Sequence, residues 1–203
     1  MAAQLDLVVT HGIFSLDGED FEVDNNIWLV GDNEEVLIID AAHSADPIVA
    51  AVGGRRVVCL CCTHGHNDHI NAAGAVADAC DTTIRLHGAD RMLWDVVYPG
   101  RVVDAAIAEG DRIRVAGTEL HVLHTPGHSP GGCCLYWPKQ GILFSGDTLF
   151  RGGPGATGRS FSDYDTIVQS IRSKLFVLPG GTEVHTGHGD STTIGDEMRS
   201  LGR

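Results

Sequence analysis

Three observations predict an α/β fold. The apolar run Val57-Val58-Cys59-Leu60-Cys61-Cys62 passes directly into the polar cluster Thr63-His64-Gly65-His66-Asn67-Asp68-His69. Ile70, Ala73, Val76 and Ala77 then recur at helical spacing. This is a βα unit with its chemistry at the C-terminal end of the strand, where open α/β sheets place their sites. In the second half, four short apolar runs are separated by turn residues, the pattern of a β-meander, and further helices follow.

Taken in order, residues 5–16 predict a strand pair broken at His11-Gly12. Asn26–Val30 and Glu35–Ile39 predict a hairpin turning at Gly31-Asp32-Asn33. Asp40 ends the second of these runs. Ser44 is placed to cap a helix over Ala45–Val52, which Gly53-Gly54 stops. A strand over Arg56–Cys62 leads into the histidine cluster and a helix reaching to about Cys80. Thr83–His87 reads as a strand. Ala89–Tyr98 reads as a helix with Met92, Leu93, Val96 and Val97 on its apolar face, ended by Pro99-Gly100. The meander comprises Arg112–Val115, Glu119–His124, Cys133–Trp137 and Ile142–Ser145. Arg151–Arg159 reads as a glycine-rich loop and Asp163–Leu175 as an amphipathic helix. Thr182–Thr186 is a strand and Thr193–Leu201 a closing helix.

With 203 residues the chain is expected to form one domain over 1–203. A formal charge of −13 argues against a nucleic-acid partner held through its phosphates. No segment approaches the ~18 apolar residues of a membrane span. The start, Met1-Ala2-Ala3-Gln4-Leu5-Asp6, is too polar for a signal peptide, so a cytoplasmic location is expected. Cys59, Cys61, Cys62, Cys80, Cys133 and Cys134 lie in or beside apolar segments, form no C-x-x-C pair, and read as buried thiols. Sequence alone leaves the oligomeric state open.

The cluster carries the strongest chemical signal. Residues two apart on extended backbone point the same way, so His64 and His66 can share one ion, while Asp68 and His69 point to a neighbouring position. Imidazole nitrogen and carboxylate oxygen suit borderline divalent metals, zinc above all, with iron or manganese as alternatives. A lone His-x-His would be unremarkable surface polarity; four ligand-type side chains in six residues are not. Three further strand ends carry ligand-type residues beside glycine: His128 in Thr125-Pro126-Gly127-His128-Ser129, Asp147 in Phe144-Ser145-Gly146-Asp147-Thr148, and His188 in Thr186-Gly187-His188-Gly189. Each alone reads as a turn residue. Together with the cluster they make five histidines and two aspartates, enough for two ions about 3.5–4 Å apart.

The order Asp40, His64-x-His66-x-Asp68-His69, His128, Asp147, His188 resembles the motif set of the metallo-β-lactamase superfamily, from Asn26 to about Met198. Within it, Gly146-Asp147-Thr148-Leu149-Phe150, Gly158-Arg159, Asp163-Tyr164-Asp165 and Gly187-His188-Gly189 resemble the glyoxalase II-type hydrolases. The resemblance implies a four-layer αββα sandwich of two mixed sheets with helices outside. It implies that His64, His66 and His128 hold one metal, that Asp68, His69 and His188 hold the other, and that Asp147 bridges them, with Asp40 supporting a ligand from behind. Asp68 and Asp147 are thereby the catalytic carboxylates.

The implied activity is hydrolysis of a small acyl-thioester, S-lactoylglutathione or a conjugate of another low-molecular-weight thiol, by a hydroxide held between two cations. The C-terminal helical extension that carries glutathione contacts in longer glyoxalase II enzymes is expected to be missing. Arg151 and Arg159 are candidate contacts for a substrate carboxylate. The competing readings are a persulfide dioxygenase, with one iron on His64, His128 and Asp147, a lactonase, and a β-lactamase. The β-lactamases usually lack an aspartate at the Asp147 position, and the Gly152–Ser160 loop departs from the dioxygenase pattern. His87 reads as structural, and His11, His43, His121, His124 and His185 carry no assignment.

Overall fold

The computed structural model describes residues 3–201. Strand β1 (Gln4–Leu16) runs antiparallel to β2 (Glu19–Gly31), which runs antiparallel to β3 (Glu35–Ile39). Helix α1 (Ala45–Val52) crosses to β4 (Arg56–Cys61), parallel to β3. Helices α2 (Asn67–Ile70) and α3 (Ala73–Cys80) cross to β5 (Ile84–His87), and α4 (Arg91–Val97) leads on to β6 (Ala105–Ile107). These six strands form one mixed sheet in sequence order. The meander β7 (Arg112–Val115), β8 (Thr118–His124), β9 (Cys133–Trp137) and β10 (Ile142–Gly146) builds the second sheet. Strand β13 (Glu183–Thr186) joins it parallel to β10, and β14 (Thr192–Thr193) forms its edge. Between them lie the small hairpin β11 (Leu149–Phe150) and β12 (Gly153–Pro154) and the helix α5 (Tyr164–Ser170). Helix α6 (Ile194–Leu201) closes the chain.

Side-chain alternation sorts these elements into four layers. On β2 and β3, Trp28, Val30, Leu37 and Ile39 face the second sheet and pack with Val122, Leu135, Trp137 and Phe144. The intervening Ile27, Leu29, Val36 and Ile38 face the other way, against Ile48, Val76 and Trp94 of the helices. On the second sheet, Leu143 and Val184 pack outward on Ile167, Ile171, Leu175 and Ile194. The expected αββα sandwich is what forms. Strands β4, β8, β10 and β13 all end at one edge of the sandwich, so the loops that follow them converge there.

Several local expectations need correction. Residues 5–16 are not a strand pair: β1 is continuous, and the turn is at Asp17-Gly18, where φ is 54° and 78°. Gly12 serves close packing instead, since a Cβ there would lie 2.2 Å from His43 Nδ1. The helix after the cluster breaks between Ile70 and Ala73. There Ala72 N–H bonds to Ala41 O (3.1 Å), and the Tyr98 hydroxyl lies 2.8 Å from Ile70 O and 3.0 Å from Asn71 O. On α4 the buried residues are Leu93 and Trp94, while Met92 and Val96 are exposed. Strand β6 was not expected; Ala-Ala-Ile carries little strand signal. Ser44 precedes α1, but its side chain makes no cap bond. The 151–159 loop contains β12, and α5 continues as a π-type turn over Ile171–Leu175. The six cysteines are free thiols, five of them buried. No helix among the described residues is long and apolar enough to cross a membrane.

Candidate metal centre

The structure brings all seven predicted ligand residues into one cleft. They form three overlapping groups: His64, His66 and His128; His64, His69 and Asp147; and Asp68, His69 and His188. Within each group the ligand atoms lie within 4.8 Å of one another. His64 and His66 come from the loop after β4, and Asp68 and His69 from α2. His128 follows β8, Asp147 follows β10, and His188 follows β13.

Most of the histidines are held from behind. His69 Nδ1 donates to Asp40 Oδ2 at 2.9 Å, His128 Nδ1 to Ala156 O at 2.8 Å, and His188 Nδ1 to Asp24 O at 2.7 Å. A carbonyl only accepts, so in His128 and His188 a proton sits on Nδ1 and Nε2 faces the cleft. Asp40 also accepts from Thr63 N–H (2.7 Å) and Thr63 Oγ1 (2.8 Å), which fixes the start of the histidine loop.

Across the cleft, His66 Nδ1 and His128 Nε2 are 3.0 Å apart. His188 Nε2 is 3.2 Å from His69 Nε2 and 3.2 Å from Asp68 Oδ2. Asp147 reaches both groups: its Oδ1 is 3.3 Å from His69 Nε2, and its Oδ2 is 3.4 Å from His188 Nε2 and 3.6 Å from His128 Nε2. His64 Nε2, His66 Nε2, Asp68 Oδ1 and Asp147 Oδ1 are buried with no hydrogen-bond partner. Burying such groups unpaired is costly unless something coordinates them. The donor set, nitrogen and carboxylate oxygen only, fits divalent metal ions.

The electrostatics divide the cleft. Burial, reinforced by neighbouring histidines, drives the pKa of His64 well below its ordinary value and that of His66 down to about 3. Burial also opposes protonation of His69 and His188, but the negative charge of Asp147 and Asp68 outweighs it. The His69 pKa is lifted well above its usual value and that of His188 to about 10. Asp147 is correspondingly held well below the carboxylate range, since the His69 and His188 charges overcome its burial. Burial thus favours neutral His64 and His66, whereas the Asp68 and Asp147 carboxylates favour protonated His69 and His188.

Neither arginine expected near the substrate joins the ligand group. Arg151 pairs with Asp190 (3.0 Å) and the Ser191 carbonyl (2.9 Å). Arg159 pairs with Glu19 (2.7 Å) and lies 4.8 Å over the Phe21 ring. Phe21 stacks toward Phe14, whose ring is 5.4 Å from His66, so Arg159 sits on the cleft's aromatic rim while Arg151 does not.

Sequence reasoning missed two polar residues behind the site. Asn25 is buried, with Nδ2 3.1 Å from Asp68 Oδ2 and 3.3 Å from His69 Nε2, and its Oδ1 is 2.8 Å from His43 Nε2. The only signal was a polar residue just before the apolar run of β2. Asp90 lies inside the expected Ala89–Tyr98 helix and carried no signal of its own; in the structure it immediately precedes α4.

Residues 21–196 match the model of the metallo-beta-lactamase superfamily. Hydroxyacylglutathione hydrolase GloC of Haemophilus influenzae is 32% identical over 194 residues, covering 86% of this chain and 90% of that protein. The crystal structure of TTHA1623 in a di-iron-bound form is 32% identical with a TM-score of 0.78, covering 88% of this chain and 94% of that one. The BLEG-1 B3 metallo-beta-lactamase is 29% identical with a TM-score of 0.78, covering 94% and 97%. With the sandwich, the convergent strand ends and the His/Asp cluster, these likenesses establish that the chain belongs to the metallo-β-lactamase superfamily.

Proposed function

We propose that this protein is a binuclear metal-dependent hydrolase of small acyl-thioesters. The observation that carries the reading is Asp147, whose two oxygens reach His69 and His188 on one side and His128 on the other. A carboxylate placed between two ligand groups is suited to bridge a pair of cations. His64, His66 and His128 would hold one ion, and Asp68, His69 and His188 the other. When bound, the metal pair supplies an activated water at neutral pH and a Lewis acid for the developing oxyanion.

The chain's own residues do the rest. Asp40 and the Asp24 carbonyl aim His69 and His188, and the Ala156 carbonyl aims His128. Asp68 and Asp147 bring negative charge to the second group, in which Asp68 and His69 are buried. Phe14 and Phe21, with Arg159 on the Phe21 face, offer the substrate an apolar rim with a cation beside it. A thiolate leaves without strong acid assistance, which favours a thioester. The relative named as a hydroxyacylglutathione hydrolase supports the same class of substrate.

The test is metal analysis of protein purified without added metal, followed by turnover of S-lactoylglutathione, a second acyl-thioester, a lactone and a β-lactam. Oxygen uptake with a glutathione persulfide is measured alongside. Two ions per chain and thioester cleavage are expected. Efficient β-lactam cleavage with every thioester left intact would overturn the reading in favour of a lactamase. One iron with oxygen uptake would favour a dioxygenase.

A further inference from the structure

Asp90 is fully buried at the position immediately before α4, yet its side chain makes no cap bond to that helix. It reaches across instead. Its Oδ2 accepts hydrogen bonds from Gly65 N–H (2.8 Å) and Ser129 Oγ (2.7 Å), and its Oδ1 accepts one from Gly131 N–H (2.5 Å). Gly65 lies between His64 and His66, and Ser129 directly follows His128. One carboxylate therefore grips both loops that supply the three-histidine group. The approach is tight: a Cβ on Gly131 would lie 2.7 Å from Asp90 Cγ, so only glycine lets that loop settle onto the carboxylate.

We propose that Asp90 is the positioning residue of the three-histidine group, tying the His64–His66 loop to the His128 loop and so setting the spacing of the three imidazoles. The inference rests on reading that group as a cation site. Its effect is one-sided, because the ligands of the other group are oriented by different partners: His69 by Asp40, His188 by the Asp24 carbonyl, and Asp68 by Asn25. Asparagine at position 90 keeps the shape but turns an NH2 group toward donors. At least one of the three bonds then fails and the loops are free to separate. Charge-assisted bonds of this kind are the stronger ones, so their loss should reach the ligands.

Cobalt(II) titration of metal-free protein, followed by visible absorption and by heat, tests the inference. His188→Ala isolates the three-histidine group, and His128→Ala isolates the other. Adding Asp90→Asn to the His188→Ala protein should weaken its remaining cobalt site by about 10–100-fold and alter the cobalt spectrum. Adding it to the His128→Ala protein should shift affinity by less than about twofold, as for independent sites. Unchanged affinity in the first background, or equal losses in both, would overturn the proposal. If Asp90→Asn does not fold, Ser129→Ala removes one of the three bonds and should give a smaller loss with the same one-sidedness. A wild-type protein that takes up no cobalt would sink the metal reading and this inference together. Two ions in the wild type with a silent Asp90→Asn would sink the inference alone.

Discussion

Asp40 Oδ2 and His69 Nδ1 are joined by a 2.9 Å hydrogen bond, with both side chains shut off from solvent. The bond fixes which way His69 presents Nε2, so in the proposed binuclear site Asp40 would orient a ligand without itself binding the ion. Asp40→Asn should keep both ions at saturating metal, with affinity or turnover lowered by about 10–100-fold. Metal content and thioester turnover on folded protein check this. Loss of an ion at saturation would show that Asp40 does more than orient.

Asp147→Asn should behave differently. Its carboxylate faces His69, His188 and His128 at 3.3–3.6 Å, and an amide carries no charge to shield two cations from each other. The expected outcome is a stoichiometry of one ion in place of two and near-complete loss of hydrolysis. Full occupancy with near-normal turnover would rule out a bridging carboxylate.

The two halves of the cleft should respond to pH differently. With a pKa of about 10 in the metal-free fold, His188 carries a proton that an incoming cation must displace. Affinity of the Asp68, His69 and His188 group should rise with pH, up to about tenfold per unit for each proton released, with the His188 contribution levelling off above about pH 10. Burial drives the pKa of His66 down to about 3 and that of His64 well below its ordinary value, so those two ligands should release no proton to an incoming cation at physiological pH. Calorimetry in buffers of differing ionisation enthalpy counts the protons. Equal proton release at both sites would contradict this division.

Phe144 and Val96 test the layering. Phe144 is fully enclosed between the sheets, and Phe144→Ala should cost about 3–5 kcal/mol. Val96 is 81% exposed on α4, so Val96→Ala should fall within about 0.5 kcal/mol of the wild type. Denaturant unfolding of the two variants checks both values; a large loss at Val96 would mean that this face of α4 is covered.

By itself the sequence determined most of the long elements in their order, the βα unit and the seven ligand-type residues; it split β1 in two and missed β6 and the β11–β12 hairpin. Those signals are local: alternation, turn residues, and His-x-His-x-Asp-His packed at a strand end. Its errors were local too. Gly12 looked like a turn until the His43 ring was seen against it, and the apolar residues of α4 could be assigned to the wrong face because the helix is short. The tertiary structure decided what no spacing encodes. The parallel pairing of β10 with β13 carries Asp147 and His188 to one edge. Asn25 comes to lie beside His188 across 163 residues, and Asp90 beside Gly131 across 41. Arg151 is paired with Asp190 and with the Ser191 carbonyl. These contacts depend on which strands pair and how the two sheets face each other. Burial then selects the polar groups that must find partners, and that is a property of the packed whole.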